Sequence, residues 1–119
     1  MKRIEDAIQR ELIKWLKNNY PEVEARYNKI ENKANKIQAA IDKKMGAAVA
    51  GTPDLTLFTD VADWTYILEL ELKILDGTLR DSQKKWHKEF KPTKNRQAAI
   101  AYGLIEAQKT ITNWLNAIT

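Results

Sequence analysis

Two short apolar runs with a polar break between them constrain this chain more than any other feature. Asp54-Leu55-Thr56-Leu57-Phe58 and Trp64-Thr65-Tyr66-Ile67-Leu68-Glu69-Leu70-Glu71-Leu72-Lys73 read as strands, and Asp60-Val61-Ala62-Asp63 can turn the chain between them. The pattern predicts an antiparallel hairpin. Successive side chains of a strand take opposite faces, so Glu71 and Lys73 project together while Leu68, Leu70 and Leu72 point the other way. Asp54, at the start of the first run, adds a second carboxylate. Two carboxylates and an ammonium are therefore expected to converge at the edge of a small sheet. That set suits Mg²⁺ or Mn²⁺, because hard divalent ions take oxygen from one or two carboxylates and leave other positions to water and phosphate. Glu69 shares the face of Glu71 by parity and reads as a structural or secondary acid. Ahead of the hairpin, Pro53 fixes an extended entry and Gly51 permits a close backbone approach.

Helical periodicity frames this hairpin. Residues 3–18 carry Ile4, Ile8, Leu12, Trp15 and Leu16 on one stripe, and Asn18-Asn19-Tyr20-Pro21 supplies the stop. At about 100° per residue Glu5 falls between Leu12 and Leu16 inside the apolar sector, and Glu11 falls on its edge beside Ile4. Either acid could complete a carboxylate set, and a glutamate that snorkels or pairs with a lysine is the plainer alternative. A second helix is predicted from about Lys29 to Lys44, with Ile30, Ala34, Ile37, Ala40 and Ile41 on one face. A third runs from about Leu79 to Glu89, and its inward stripe places Gln83 where an apolar residue is expected. Gln83 either caps backbone groups or faces a site. A further strand is predicted at Gln97 to Tyr102, closed by Gly103, and a last helix from Leu104 to Ala117. This order predicts one α/β domain over residues 1–119, a mixed sheet flanked by helices.

Composition excludes several function classes. The 119 residues leave room for one core and no second module. With no cysteine and a single histidine, His87, disulfides, thiolate sites and histidine-rich zinc sites are ruled out. The acidic and polar start, Met1-Lys2-Arg3-Ile4-Glu5-Asp6, and the lack of a membrane-length apolar run predict an intracellular protein without membrane association. A net charge of +4 favours a polyanionic partner. Lys84, Lys85, Lys88, Lys91, Lys94 and Arg96 crowd into the segment after the acidic residues and are the candidate phosphate contacts. His87 on that basic segment reads as a surface residue or phosphate contact, and not as a general base.

Gly51-Thr52-Pro53-Asp54, Glu71-Leu72-Lys73, Gly77-Thr78-Leu79 and Gln83 resemble, in order and spacing, the virus-type replication-repair nuclease (VRR-NUC) family of the PD-(D/E)xK nuclease superfamily. The resemblance spans nearly the whole chain and implies a restriction-endonuclease-like fold. It implies hydrolysis of DNA phosphodiester bonds with one or two divalent ions, Mg²⁺ or Mn²⁺. Asp54 and Glu71 would ligate the metal with the backbone carbonyl of Leu72, and Glu5 would act directly or through water. Lys73 would orient the attacking water and Gln83 the water or phosphate. One departure stands out. Where the family usually has Ser-Pro-Glu before the glutamine, this chain has Arg80-Asp81-Ser82, so the helix cap is expected from Thr78 or Asp81. Stand-alone members of the family resemble junction-resolving enzymes, which implies a homodimeric Holliday-junction resolvase of phage or bacterial origin. A less selective nickase or flap endonuclease is the alternative within enzymes. A non-catalytic DNA-binding module and a protein-interaction domain are the alternatives outside them.

Overall fold

The computed structural model describes residues 2–28 and 51–119. Within them the chain runs α1 (Lys2–Asn19), β1 (Glu24–Tyr27), β2 (Leu55–Val61), β3 (Trp64–Lys73), α2 (Asp81–Glu89), β4 (Arg96–Tyr102) and α3 (Leu104–Ile118). The helix predicted at 29–44 lies outside the described residues. The four strands form one mixed sheet in the order β1-β2-β3-β4. β2 pairs antiparallel with both β1 and β3, and β4 pairs parallel with β3. α2 falls within the crossover that a parallel pair requires. Among the described residues no helix is long and apolar enough to cross a membrane.

The predicted hairpin forms, and its register decides what each face carries. Leu55 lies opposite Leu70 and Leu57 opposite Leu68, so the leucines of both strands share one face. That face packs with Leu12 and Leu16 of α1 and with Ala107, Ile111, Trp114 and Leu115 of α3 in one buried cluster. Burying a leucine fully is worth about 1.5–3 kcal/mol. A slip of one residue would turn every leucine to the polar face and every acid into the core, which makes the register strongly specified. Thr56 lies opposite Glu69 on the second face. Asp54 immediately precedes Leu55 and Glu71 immediately follows Leu70, the last pair of the ladder, so both stand at the same end of the hairpin.

Local chemistry ends the elements as expected in most places. α1 stops where Tyr20 N–H donates to Leu16 C=O at 2.7 Å, Asn19 Nδ2 covers the carbonyl of Trp15 at 2.8 Å, and Pro21 follows. Two features differ from expectation. β1 carries no strand signal, being four mostly exposed residues, two of them charged, that pair with β2. And β3 is an interior strand, so Glu71 and Lys73 stand at the C-terminal end of a central strand and not at an edge of the sheet.

Candidate active site at the end of the central strand

Gly51 and Asn28 bring the entry of β2 into place. Gly51 has φ +87°, and a Cβ there would lie 2.1 Å from the carbonyl oxygen of Ser82, so only glycine lets this segment pass against the first turn of α2. Asn28, just past β1, donates from Nδ2 to Pro53 C=O at 3.1 Å and to Thr56 Oγ1 at 2.7 Å, and its N–H donates to Asp54 C=O at 2.9 Å. The Asp54 backbone is thus held from one side. Its side chain is held from the other, where Oδ2 accepts the N–H of Leu72 at 3.0 Å.

A polar cavity of about 370 Å³ opens over these residues. Its lining includes Asp54, Glu71, Lys73 and Gln83, with Glu5 from α1, so the structure brings five candidates from four elements or their flanks to one place. Glu11 does not join them. It is exposed and lies 3.9 Å from Lys14 on the outer side of α1. Asn28, Pro53, Thr52 and Arg80 also line the cavity, and the sequence pattern singled out none of them as functional. Arg80 was readable only as a departure from a familiar tripeptide.

Burial gives this cavity its electrostatics. Glu71 is 1% exposed and Lys73 8%, on a strand face where charged groups ordinarily stay in water. Burial raises the Glu71 carboxyl first, a hydrogen bond with the Asp54 carboxyl and that group's charge raise it further, and Lys73 and Arg80 pull it down. The balance leaves it at about 9, against 4.5 for an ordinary glutamate. Among the described residues Glu71 Oε1 is buried without a hydrogen-bond partner. Two adjacent carboxyl groups, one with an orphaned oxygen, fit a divalent cation. Among the described residues no three acid, histidine or cysteine side chains cluster for a metal; the two carboxyl groups that meet are Asp54 and Glu71.

Gln83 realises the capping role. It is 3% exposed, and its Oε1 accepts the N–H of Arg80 at 2.8 Å. The N-cap position of α2 is Arg80, and not Thr78 or Asp81 as the sequence led one to expect; Asp81 instead opens the first turn. The cap runs in one direction because a guanidinium has no acceptor to offer the helix.

The basic residues divide. Lys84, Lys85 and Lys88 are exposed on α2, Lys91 and Lys94 are exposed beyond it, and Lys94 lies over the Trp64 ring at 4.5 Å. Arg96 is committed elsewhere: its Nη2 donates to Glu69 Oε2 at 2.6 Å and its guanidinium stacks over Phe90 at 4.9 Å. Glu69 also accepts from Thr56 Oγ1. His87 lines a separate cavity against β4, and burial lowers its pKa.

The VRR-NUC domain model matches residues 3–103. A solved structure described as a VRR_NUC domain protein superposes with a TM-score of 0.65 at 22% identity, covering 95% of this chain and 88% of that one, a likeness of fold. None of the curated proteins matches the chain. With the match to its domain model running from α1 through β4, the chain belongs to the VRR-NUC family, nucleases of the PD-(D/E)xK type.

Proposed function

We propose that this protein is a divalent-metal-dependent endodeoxyribonuclease that cuts branched DNA, acting as a homodimeric Holliday-junction resolvase. The observation that carries the metal-dependent reading is the hydrogen-bonded Asp54–Glu71 carboxyl pair, with Lys73 on the strand face of Glu71 and one Glu71 oxygen that has no partner among the described residues. Asp54 and Glu71 would hold Mg²⁺ or Mn²⁺ with the carbonyl of Leu72, and Glu5 of α1, which lines the same cavity without clustering with the two carboxyl groups, would act through water. Such an ion, when bound, offsets the negative charge of the phosphodiester and favours deprotonation of the attacking water.

The chain's own residues do the rest. Lys73 orients the water and stabilises the charge that develops on the phosphate, and its burial strengthens both effects. Gln83 holds the first turn of α2 beside the cavity, and its amide orients water or phosphate without transferring a proton. Lys84, Lys85, Lys88, Lys91 and Lys94 lead away from the site and supply contacts to the DNA backbone, which give affinity without reading sequence. A chain with one such site makes paired cuts in two strands by forming a symmetric pair. Selectivity then rests on the shape and flexibility of a branch.

The test is cleavage of a labelled four-way junction beside matched duplex, flap and single-stranded DNA, with Mg²⁺, Mn²⁺ or EDTA, for wild type and Lys73→Ala. Paired metal-dependent cuts at the junction, lost in the variant, are expected. Comparable cutting of every substrate would replace the resolvase with a general nuclease or nickase, and preferred cutting of the flap with a flap endonuclease. Binding without cutting would leave a DNA-binding module.

A further inference from the structure

Arg80 is out of place as a helix residue. A cation at a helix N-terminus opposes the helix dipole, and a guanidinium cannot accept the N–H groups that an N-cap should satisfy. The start of α2 is secured without its side chain, by Gln83 Oε1 on the Arg80 N–H at 2.8 Å and by Asp81 in the first turn. The backbone of Arg80 is thereby fixed while its side chain is exposed. Among the described residues it makes no ion pair.

Its surroundings supply a reason. Arg80 lines the same cavity as Asp54, Glu71 and Lys73, and its charge reaches the Glu71 carboxyl. The other cation lining this cavity among the described residues, Lys73, is buried within it. A phosphodiester entering this cavity brings negative charge beside the Asp54 and Glu71 carboxyl groups. A cation at the mouth is needed to draw it in, and the planar fork of arginine matches two phosphate oxygens at once.

We propose that Arg80 binds a phosphate of the cleaved strand at the mouth of the Asp54–Glu71–Lys73 cavity, a substrate-binding role that rests on the nuclease reading above. It stands where the family usually places a serine, so this chain holds its substrate with a group of its own.

The experiment compares wild type, Arg80→Ala and Arg80→Lys in steady-state cleavage of a labelled junction with Mn²⁺, together with junction binding in EDTA over a range of salt. Arg80→Ala is expected to lower kcat/KM about 30- to 100-fold, largely through KM, with Arg80→Lys recovering part of the loss as a point charge does. The slope of log affinity against log salt should fall by about 0.9 for one phosphate contact removed. The rise in Tm on adding Mn²⁺ should be unchanged, because the carboxylates remain. Unchanged KM and salt slope would overturn the proposal while leaving the nuclease reading intact. A loss of cleavage matched by a lost Mn²⁺ response would also overturn it, assigning Arg80 to the carboxylates alone. A wild-type protein that cuts no DNA with either metal overturns the nuclease reading and the Arg80 role with it.

Discussion

Glu69 and Glu71 are two residues apart on one strand, project from the same face and are both buried, yet they have opposite surroundings. Glu69 is answered on both oxygens, by Thr56 on one and Arg96 on the other, and Asn28 in turn donates to Thr56. Glu71 meets another carboxyl group and keeps an oxygen with no partner among the described residues. The difference teaches how to separate a structural acid from a working one. A buried carboxylate with its hydrogen bonds complete stabilises the sheet, whereas one left short has a free valence for something from outside.

The comparison breaks most visibly in catalysis. Glu71→Gln is expected to lower the rate of DNA cleavage by a factor on the order of 10²–10³, and Glu69→Gln to leave the rate per folded molecule within a few-fold, measured on the same junction substrate. The order reverses for stability. Arg96→Ala strips one partner from Glu69 and should cost about 1–3 kcal/mol in urea unfolding, with the cleavage rate of the folded fraction preserved.

Acidity sharpens the contrast further. The folded state holds a proton on Glu71 up to about pH 9, while the unfolded chain releases it near 4.5. Between those values the folded state binds more protons, so the stability of the metal-free protein falls as pH rises through that window. The Tm of EDTA-treated protein should therefore decline from pH 5 to pH 9, and Glu71→Gln should flatten the decline where Glu69→Gln should not. The smallest effect belongs to a control that touches neither glutamate. Ala62 adopts φ 55° in the hairpin turn, so Ala62→Gly should raise stability by up to about 1 kcal/mol in urea unfolding and leave cleavage unaltered.

Much of this arrangement is legible in the sequence because it rests on local period. The stripe of α1, the leucine alternation of β3 and the stop at Pro21 each follow from side-chain spacing within one element. Asp54, Glu71 and Lys73 are legible for the same reason, since parity alone puts the last two on one face. What escapes depends on which segments meet. β1 is four residues, two of them charged, that form a strand by pairing with β2. The parallel addition of β4 turns an expected edge into an interior strand and delivers Arg96 to Glu69, and no pattern around Glu69 announces that partner. Helical angle sets Glu5 inside the apolar sector and Glu11 at its edge, and where α1 lies against the sheet then brings Glu5, and not Glu11, to the cavity. Arg80 is visible as an odd residue, and its meaning comes from the cavity it shares.

The most direct measurement is Mn²⁺ binding by titration calorimetry at pH 7.5 on wild type, Glu69→Gln and Glu71→Gln. Binding to the first two is expected, accompanied by proton release as Glu71 ionises, with binding lost in the third. Equal binding by all three, or equal loss from both variants, would contradict the claim that the glutamate left without a partner is the one that holds the metal.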